Sequence, residues 1–308
     1  MLYFSSLLKT IPEYAASAGN LFTALSKCGE EYTFFDGAKD IWAKDYMPVK
    51  TGSSKYISFR YEPCYLKDDP QLKTDFKNDV APKLSLPVIY SNINLDGGNI
   101  VFSPSKEKAI ISDRVFSENP EYEKSVLISE LENRLEAEII IIPALKSDMT
   151  GHADGVVRFV DEKTVIGNAT PYKNGYEQRV KAALSKSGIL AIDFPYFESY
   201  GISAVGSYLN FLETQKHIFL PVFGVSEDES AIKAAKCIFA KEIIAVNIND
   251  IAQDGGVLNC ISWETTVWPQ MTKETKSRRT YGKAKPLQCR CCTFGVRQCI
   301  CIEHKICT

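Results

Sequence analysis

The stretch "MTGHADGVVRFVDEKTVIGNA", residues 149–169, sets an imidazole and a carboxylate two positions apart, at His152 and Asp154, ahead of a strand-like run. Imidazole is the side chain that changes charge nearest neutral pH, so the two are a candidate acid–base pair. Four other short stretches carry polar or reactive groups in similar settings. They are "DIWAKDYMP" with Asp45, "NLDGGNI" with Asp96, "SYLNF" with Asn210 and "DGGVLNCISW" with Cys260. Together they offer acid, base, amide and thiol.

Each group also has a plain structural reading. A lone His at a strand start is usually structural, a free Cys is usually a small buried hydrophobe, and Gly97-Gly98 reads equally well as a tight turn before a hairpin. Against these stand the scarcity of His, three in the whole chain, and the "DGG" before Cys260, which lets the backbone turn sharply and approach a ligand. If a strand begins at His152, period two puts His152 and Asp154 on one face. Asp96 stays open between a turn residue and a contact near the substrate.

Five β-rich runs must position these groups: "EYTFF" ending at Phe35, "LPVIY" at Tyr90, "EIIII" at Ile142, "ILAIDF" at Phe194 and "EIIAVNI" at Ile248. Their ends fall 55, 52, 52 and 54 residues apart. A polar, Gly-containing loop follows each run, then a hairpin pattern such as "IVFSPSKEKAIISDRVF", "VVRFVDEKTVIGN" or "LNFLETQKHIFLPVF". Helical spacing follows in turn, at Leu72, Phe76 and Val80; Val126, Leu127, Leu131 and Leu135; Tyr176, Val180, Ala183 and Leu184; and Ile232, Ala235 and Ile238. The repeat is strand, strand, helix, strand, and a period near 50 indicates a propeller or solenoid. The fifth copy is split: a hairpin beginning near Val257 lacks a helix, and the N-terminus supplies one from Leu7 to Ser26 with the strand at Phe35. Such a split closes a ring, which would bring the five loops to its axis.

Composition sets outer limits. With 308 residues, 45% hydrophobic and 24% charged, the chain is globular. The net charge of −2 divides into about +7 from Pro269 onward and about −9 before it, so the body has no electrostatic reason to bind nucleic acid. No apolar run nears the roughly 20 residues of a membrane span, and "MLYFSSLLKT" has neither a basic start nor a cleavage site. A soluble, cytoplasmic protein that binds no membrane is expected. Six of ten cysteines crowd into residues 289–307, in spacings that match no zinc motif. Residues 1–264 are expected to form one domain, and 265–308 a flexible basic tail whose removal from 269 onward leaves folding and activity intact.

The blocks "WAKDYMPV", "LDGGNI", "GHADGVVRF", "SYLNF" and "GGVLNCISW" resemble, in the right order over residues 30 to 264, the agmatine deiminase and bacterial peptidylarginine deiminase family of guanidine-modifying enzymes. The resemblance implies an α/β fold, the five-bladed pseudo-symmetric ββαβ propeller called the pentein fold. It implies Cys260 as nucleophile, His152 as general acid and base, Asp45 and Asp154 as holders of the guanidinium, Asn210 as a supporting polar residue and Trp42 packed on the substrate's aliphatic chain. Agmatine deiminases typically continue the first block as Asp-Thr-Gly-Pro, where this chain has "KDYMP".

The expected reaction is hydrolysis of a small cationic guanidino compound through a covalent thiouronium on Cys260, with no metal or organic cofactor. Agmatine, yielding N-carbamoylputrescine and ammonia in putrescine biosynthesis, is the first choice; peptidylarginine and free arginine are the alternatives, and a homodimer is compatible with all three. Asp96 and Arg158 are further candidate substrate contacts, with Arg60 and Glu62 also available for the substrate's far end. A Cys-His amidase would use the thiol and imidazole but not a second substrate-facing acid such as Asp45. Metal hydrolysis would need more ligands than His217 adds, and a non-catalytic interaction scaffold is the remaining reading.

Overall fold

In the computed structural model, residues 1–169, 175–197, 203–265 and 270–271 are described. They contain five three-stranded sheets of one design, in which two strands pair antiparallel and the third joins the second in parallel. Blade 1 is Val49–Lys50, Tyr56–Arg60 and Ile89–Asn94; blade 2 is Ile100–Phe102, Lys108–Ser112 and Glu138–Ile142. Blade 3 is Val157–Phe159, Thr164–Ala169 and Leu190–Pro195, and blade 4 is Leu212–Glu213, His217–Val222 and Glu242–Asn247. The third strands of blades 2 to 5 fall on the β-rich runs read from the sequence, whereas in blade 1 the run "LPVIY" only leads into a strand that spans Ile89–Asn94.

Blade 5 closes the ring differently from the expectation. Its first strand, Ser262–Glu264, pairs antiparallel with Leu2–Ser5, which runs parallel to Tyr32–Phe35. The split therefore falls inside the hairpin, and no complete hairpin begins near Val257. The expected helix from Leu7 starts as two short 3-10 turns, because Pro12 removes a backbone donor, and becomes regular only over Ala15–Lys27.

Blades 2, 3 and 4 carry their crossover helices at Lys124–Leu135, Gly175–Lys186 and Glu227–Ile238. Leu127, Leu131 and Leu135, one stripe at helical spacing, are fully buried, while the neighbouring Val126 is exposed. Blade 1 departs from the pattern: its crossover is a series of short turns, with Phe76–Val80 wound as a single wide turn and Pro70 and Pro82 on either side. Proline in both flanks prevents an ordinary helix there, although Phe76 and Val80 are still buried.

Four apolar clusters tie neighbouring blades. Ile57, Phe59 and Ile93 of blade 1 pack with Ile100 and Ile111 of blade 2, and Ile110, Ile140 and Ile142 of blade 2 pack with Val157 and Val165 of blade 3. Ile166 and Phe194 of blade 3 join Phe219 and Leu220 of blade 4 and Leu2 and Phe4 of blade 5. Tyr3 and Trp263 of blade 5 then meet Tyr56 of blade 1. Every blade is joined to the next and the last to the first. The backbone of Gln270–Met271 pairs antiparallel with Leu84–Ser85. The expectations for the cysteine-rich tail fall outside the described residues.

Candidate active site

Each blade's first strand is preceded by one tight turn, and the candidate residues sit on these turns. Asp45 lies on Ala43–Tyr46, Asp96 directly precedes Gly97–Asn99, and His152 directly precedes Ala153–Gly155. Asn210 and Cys260 end the corresponding turns before blades 4 and 5. The strand after His152 begins only at Val157, so the period-two argument does not apply to His152 and Asp154. They diverge around a turn, His152 toward Asp96 and Asp154 toward Asn210.

Five hydrogen bonds link the turns in a closed circle. Gly98 N–H donates to Asp45 Oδ1 (3.1 Å), Ala153 N–H to Asn99 Oδ1 (3.2 Å) and Asn210 Nδ2–H to Asp154 Oδ2 (3.1 Å). Asn259 N–H donates to Asn210 O (3.0 Å) and Lys44 N–H to Cys260 O (2.9 Å). The approach is close enough to require glycine: a Cβ on Gly97 would stand 2.1 Å from Lys44 O, and one on Gly98 would stand 2.5 Å from Asp45 Oδ1 and 2.6 Å from His152 Nδ1. "DGG" is therefore a packing requirement of the site itself.

The turns surround a cavity of about 280 Å³ whose lining includes Trp42, Asp45, His152, Asp154, Asn210 and Cys260. The Cys260 thiol donates to Asn210 Oδ1 at 3.2 Å, and the Cys260 N–H donates to the same oxygen at 3.2 Å. That backbone donor fixes the amide orientation, which leaves Asn210 Nδ2 to face Asp154. Asn259 Nδ2 donates to the same Asp154 Oδ2 at 2.6 Å. Both amides thus converge on one carboxylate oxygen, and Asp154 Oδ1 has no partner among the described residues. Asp45 is arranged alike: Oδ1 accepts from Gly98 and lies 3.6 Å from His152 Nδ1, and Oδ2 has no partner among the described residues.

His152 is held from its other nitrogen, with Nε2 2.8 Å from Asp96 Oδ2. Asp96 also accepts the Tyr65 hydroxyl on that oxygen at 3.1 Å and is not among the cavity-lining residues. Its side chain is the partner of the imidazole. Arg158 is likewise absent from the lining: its guanidinium donates to Phe211 O (3.2 Å), lies 3.6 Å from Glu213 and stacks over the Phe211 ring. Arg60 and Glu62 are outside the cavity too and pair with each other, at 3.9 Å. The outer wall instead offers Asp148 and Asp254, with Lys146 as the one Lys or Arg among the described residues of the lining. His217 is remote, held by Glu30.

Sequence reasoning missed Asn259, Tyr65, Asp148 and Asp254. Asn259 stood within "GGVLNCISW", next to the thiol, and its polar side chain beside a candidate nucleophile was a usable signal. Tyr65 lies in an irregular stretch with no motif around it.

The electrostatics follow from three buried carboxylates around one imidazole. Burial disfavours the His152 cation, but Asp45, Asp96 and Asp154 outweigh it and carry the imidazole up to about 10. Burial pushes Asp45 up to about 8; the His152 charge opposes this, and Asp96 and Asp154 add to it. Asp154 is raised by burial against the pull of His152 and Lys44. Burial, then Asp154 and Asp45, push the Cys260 thiol well above its ordinary range. The site is thus short of positive charge, and an arriving cation would favour ionisation of both carboxylates and thiol.

Five ββαβ blades closed across the termini, with the polar groups gathered at the axis, define the pentein fold. Solved structures with the same fold include a C. jejuni agmatine deiminase (TM-score 0.68, 18% identity, 85% of this chain and 92% of that one) and the agmatine deiminase of Enterococcus faecalis (TM-score 0.66, 16% identity, 85% and 92%). Residues 18–265 match the model of the Porphyromonas-type peptidyl-arginine deiminase family, and the chain belongs to that family. A Lactococcus lactis protein named "Putative agmatine deiminase" is 35% identical over 63 residues, which are 20% of this chain and 17% of that protein. Family and structural neighbours are hydrolases that modify guanidino groups.

Proposed function

We propose that this protein hydrolyses the guanidino group of a small cationic substrate, agmatine in the first instance, through a covalent intermediate on Cys260. The observation that carries the reading is the pair of buried carboxylates, Asp45 and Asp154, each with one oxygen fixed by the protein and the other without a partner among the described residues, on the same cavity as the thiol and the imidazole. A guanidinium is planar and presents paired N–H donors. Two fixed carboxylates orient it as well as neutralise it. A Cys-His amidase has no use for the second acid.

The substrate's charge helps to ionise Cys260, whose thiolate attacks the central guanidinium carbon. The tetrahedral adduct collapses with loss of ammonia, to which His152 delivers the proton, and an S-alkylthiouronium remains. His152, now neutral, takes a proton from water as the water adds to the same carbon. Collapse of this second adduct expels the thiolate and releases the ureido product. With Nε2 held by Asp96, Nδ1 is the nitrogen available for these transfers.

Agmatine is favoured over free arginine by the outer wall, where Asp148 and Asp254 outnumber Lys146 and suit a distal ammonium better than a carboxylate. The test is incubation with agmatine, free arginine and an arginine-containing peptide, with ammonia and ureido product quantified. Agmatine should be turned over fastest. Ammonia release from none of the three by folded protein would overturn the deiminase reading, and preference for the peptide would move it to peptidylarginine.

A further inference from the structure

Tyr65 lines the cavity, yet the chemistry above gives it no task. Its hydroxyl donates to Asp96 Oδ2 at 3.1 Å, the oxygen that also holds His152 Nε2 at 2.8 Å. The Tyr61 hydroxyl approaches it at 3.5 Å, too far for more than a weak contact. Tyr65 also sets its ring edge-on to the His152 ring, centroids 6.3 Å apart, and carries the Arg114 guanidinium over its face at 5.4 Å. One phenol therefore touches both the imidazole and the carboxylate behind it.

We propose that Tyr65 is a positioning residue for the acid–base step, its hydroxyl sharing the charge of Asp96 and so setting how tightly His152 keeps its proton. The proposal rests on the deiminase reading for its kinetic consequences, though not for its titration. A donor to Asp96 Oδ2 spreads the carboxylate charge and weakens its hold on the imidazolium. Burial, and then the nearby Asp96, raise the Tyr65 phenol well above its usual range, so it remains a donor throughout the working pH. The groups that face this relay are Asp45, Asp96 and Asp154 around His152, and Tyr61, Arg114 and Asp45 around Tyr65.

The two half-reactions ask opposite things of His152. Loss of ammonia needs a proton donor, whereas hydrolysis of the thiouronium needs a base. Without the Tyr65 hydroxyl the imidazole holds its proton harder, and the second half-reaction suffers. The site would then fill with the covalent intermediate.

Tyr65→Phe keeps both ring contacts and removes only the donor. In agmatine turnover the expected result is a fall in kcat of about tenfold with KM within about threefold, and an acidic limb of the kcat profile displaced upward by about one pH unit. An adduct at the mass of protein plus substrate less ammonia should accumulate. Tyr61→Phe should match wild type. Independently of turnover, NMR titration of the histidine rings, three in the chain, in Cys260→Ala protein should show the His152 titration moved up by Tyr65→Phe and down by Asp96→Asn. Folded Tyr65→Phe with kcat within twofold of wild type, an unmoved pH profile and an unmoved His152 titration would overturn the proposal. A wild type that releases no ammonia would sink the deiminase reading instead, and the titration would still decide the role of Tyr65.

Discussion

At the scale of single residues, the site gathers three buried carboxylates around one imidazole. Burial raises the Asp45 carboxyl to about 8, so on the proposed deiminase reading a guanidinium bound between Asp45 and Asp154 would drive a proton off. Binding that releases a proton tightens as pH rises. Agmatine affinity should thus improve by up to about tenfold per pH unit between about 6 and 8 and level off above. Calorimetry on Cys260→Ala protein, which should bind substrate without turning it over, measures this directly; a flat affinity over that interval would contradict the charge balance. Asp45→Asn should weaken the pH dependence, leaving what Asp154 contributes, and lower kcat/KM by roughly 30-fold to several thousand-fold, the equivalent of about 2–5 kcal/mol for a lost charged bond in a desolvated site. The candidates most legible in the sequence were those whose types are rare or reactive, Cys260 and His152. Asn259 and Tyr65 were hidden because amides and phenols occur everywhere, and only the fold shows which of them meet a carboxylate.

At the scale of elements, the turns before the first strands carry the site, and they were the least legible part. The β-rich runs announced themselves by composition, and three of the crossover helices by spacing. A one-turn segment has no period to read, which is why His152 and Asp154 looked like the start of a strand. Blade 1 shows the other limit, since the apolar spacing of Phe76 and Val80 held while two prolines cancelled the helix it implied. The glycines of the turns were readable as punctuation but not as contacts. Gly256 illustrates the difference: a Cβ there would stand 2.4 Å and 2.9 Å from the Trp42 ring and 3.1 Å from Cys260 Cβ. Gly256→Ala should push the indole into the cavity while leaving the acids and imidazole in place. The expected outcome is a KM raised about tenfold or more, with a melting temperature within a few degrees of wild type. An unchanged KM would mean that Trp42 does not bound the substrate's path.

At the scale of the whole molecule, the repeat spacing foretold five units and a split copy, but not where the split lies. Strand pairing across the termini is a long-range choice, and "LYFS" at the start of the chain is too short to reveal its partner. In the structure Met1 and Thr265 exchange backbone hydrogen bonds, each 3.1 Å long, so the hairpin of blade 5 lacks only a covalent turn. Two outcomes follow. Deleting residues 1–5 removes Leu2, Tyr3 and Phe4, which are 3%, 1% and 0% exposed; at about 1.5–3 kcal/mol for each buried side chain, the loss rivals the roughly 5–15 kcal/mol that holds a domain folded. That protein should show no cooperative melt. No helix among the described residues is long and apolar enough to cross a membrane. The converse variant joins Thr265 to Met1 through a short glycine-rich turn and opens the chain at Gly188, an exposed helix-ending position where an added Cβ would meet nothing within 4 Å. Every blade then keeps its strands and blade 5 becomes continuous, at the expense of the Gln270–Met271 pairing alone among the described strands. Closing a short loop costs little chain entropy, so this permutant should melt cooperatively, near the wild-type temperature, and retain whatever guanidino hydrolysis the wild type has. Failure of the permutant to fold, alongside a folded deletion of residues 1–5, would show that blade 5 is not what closes the ring.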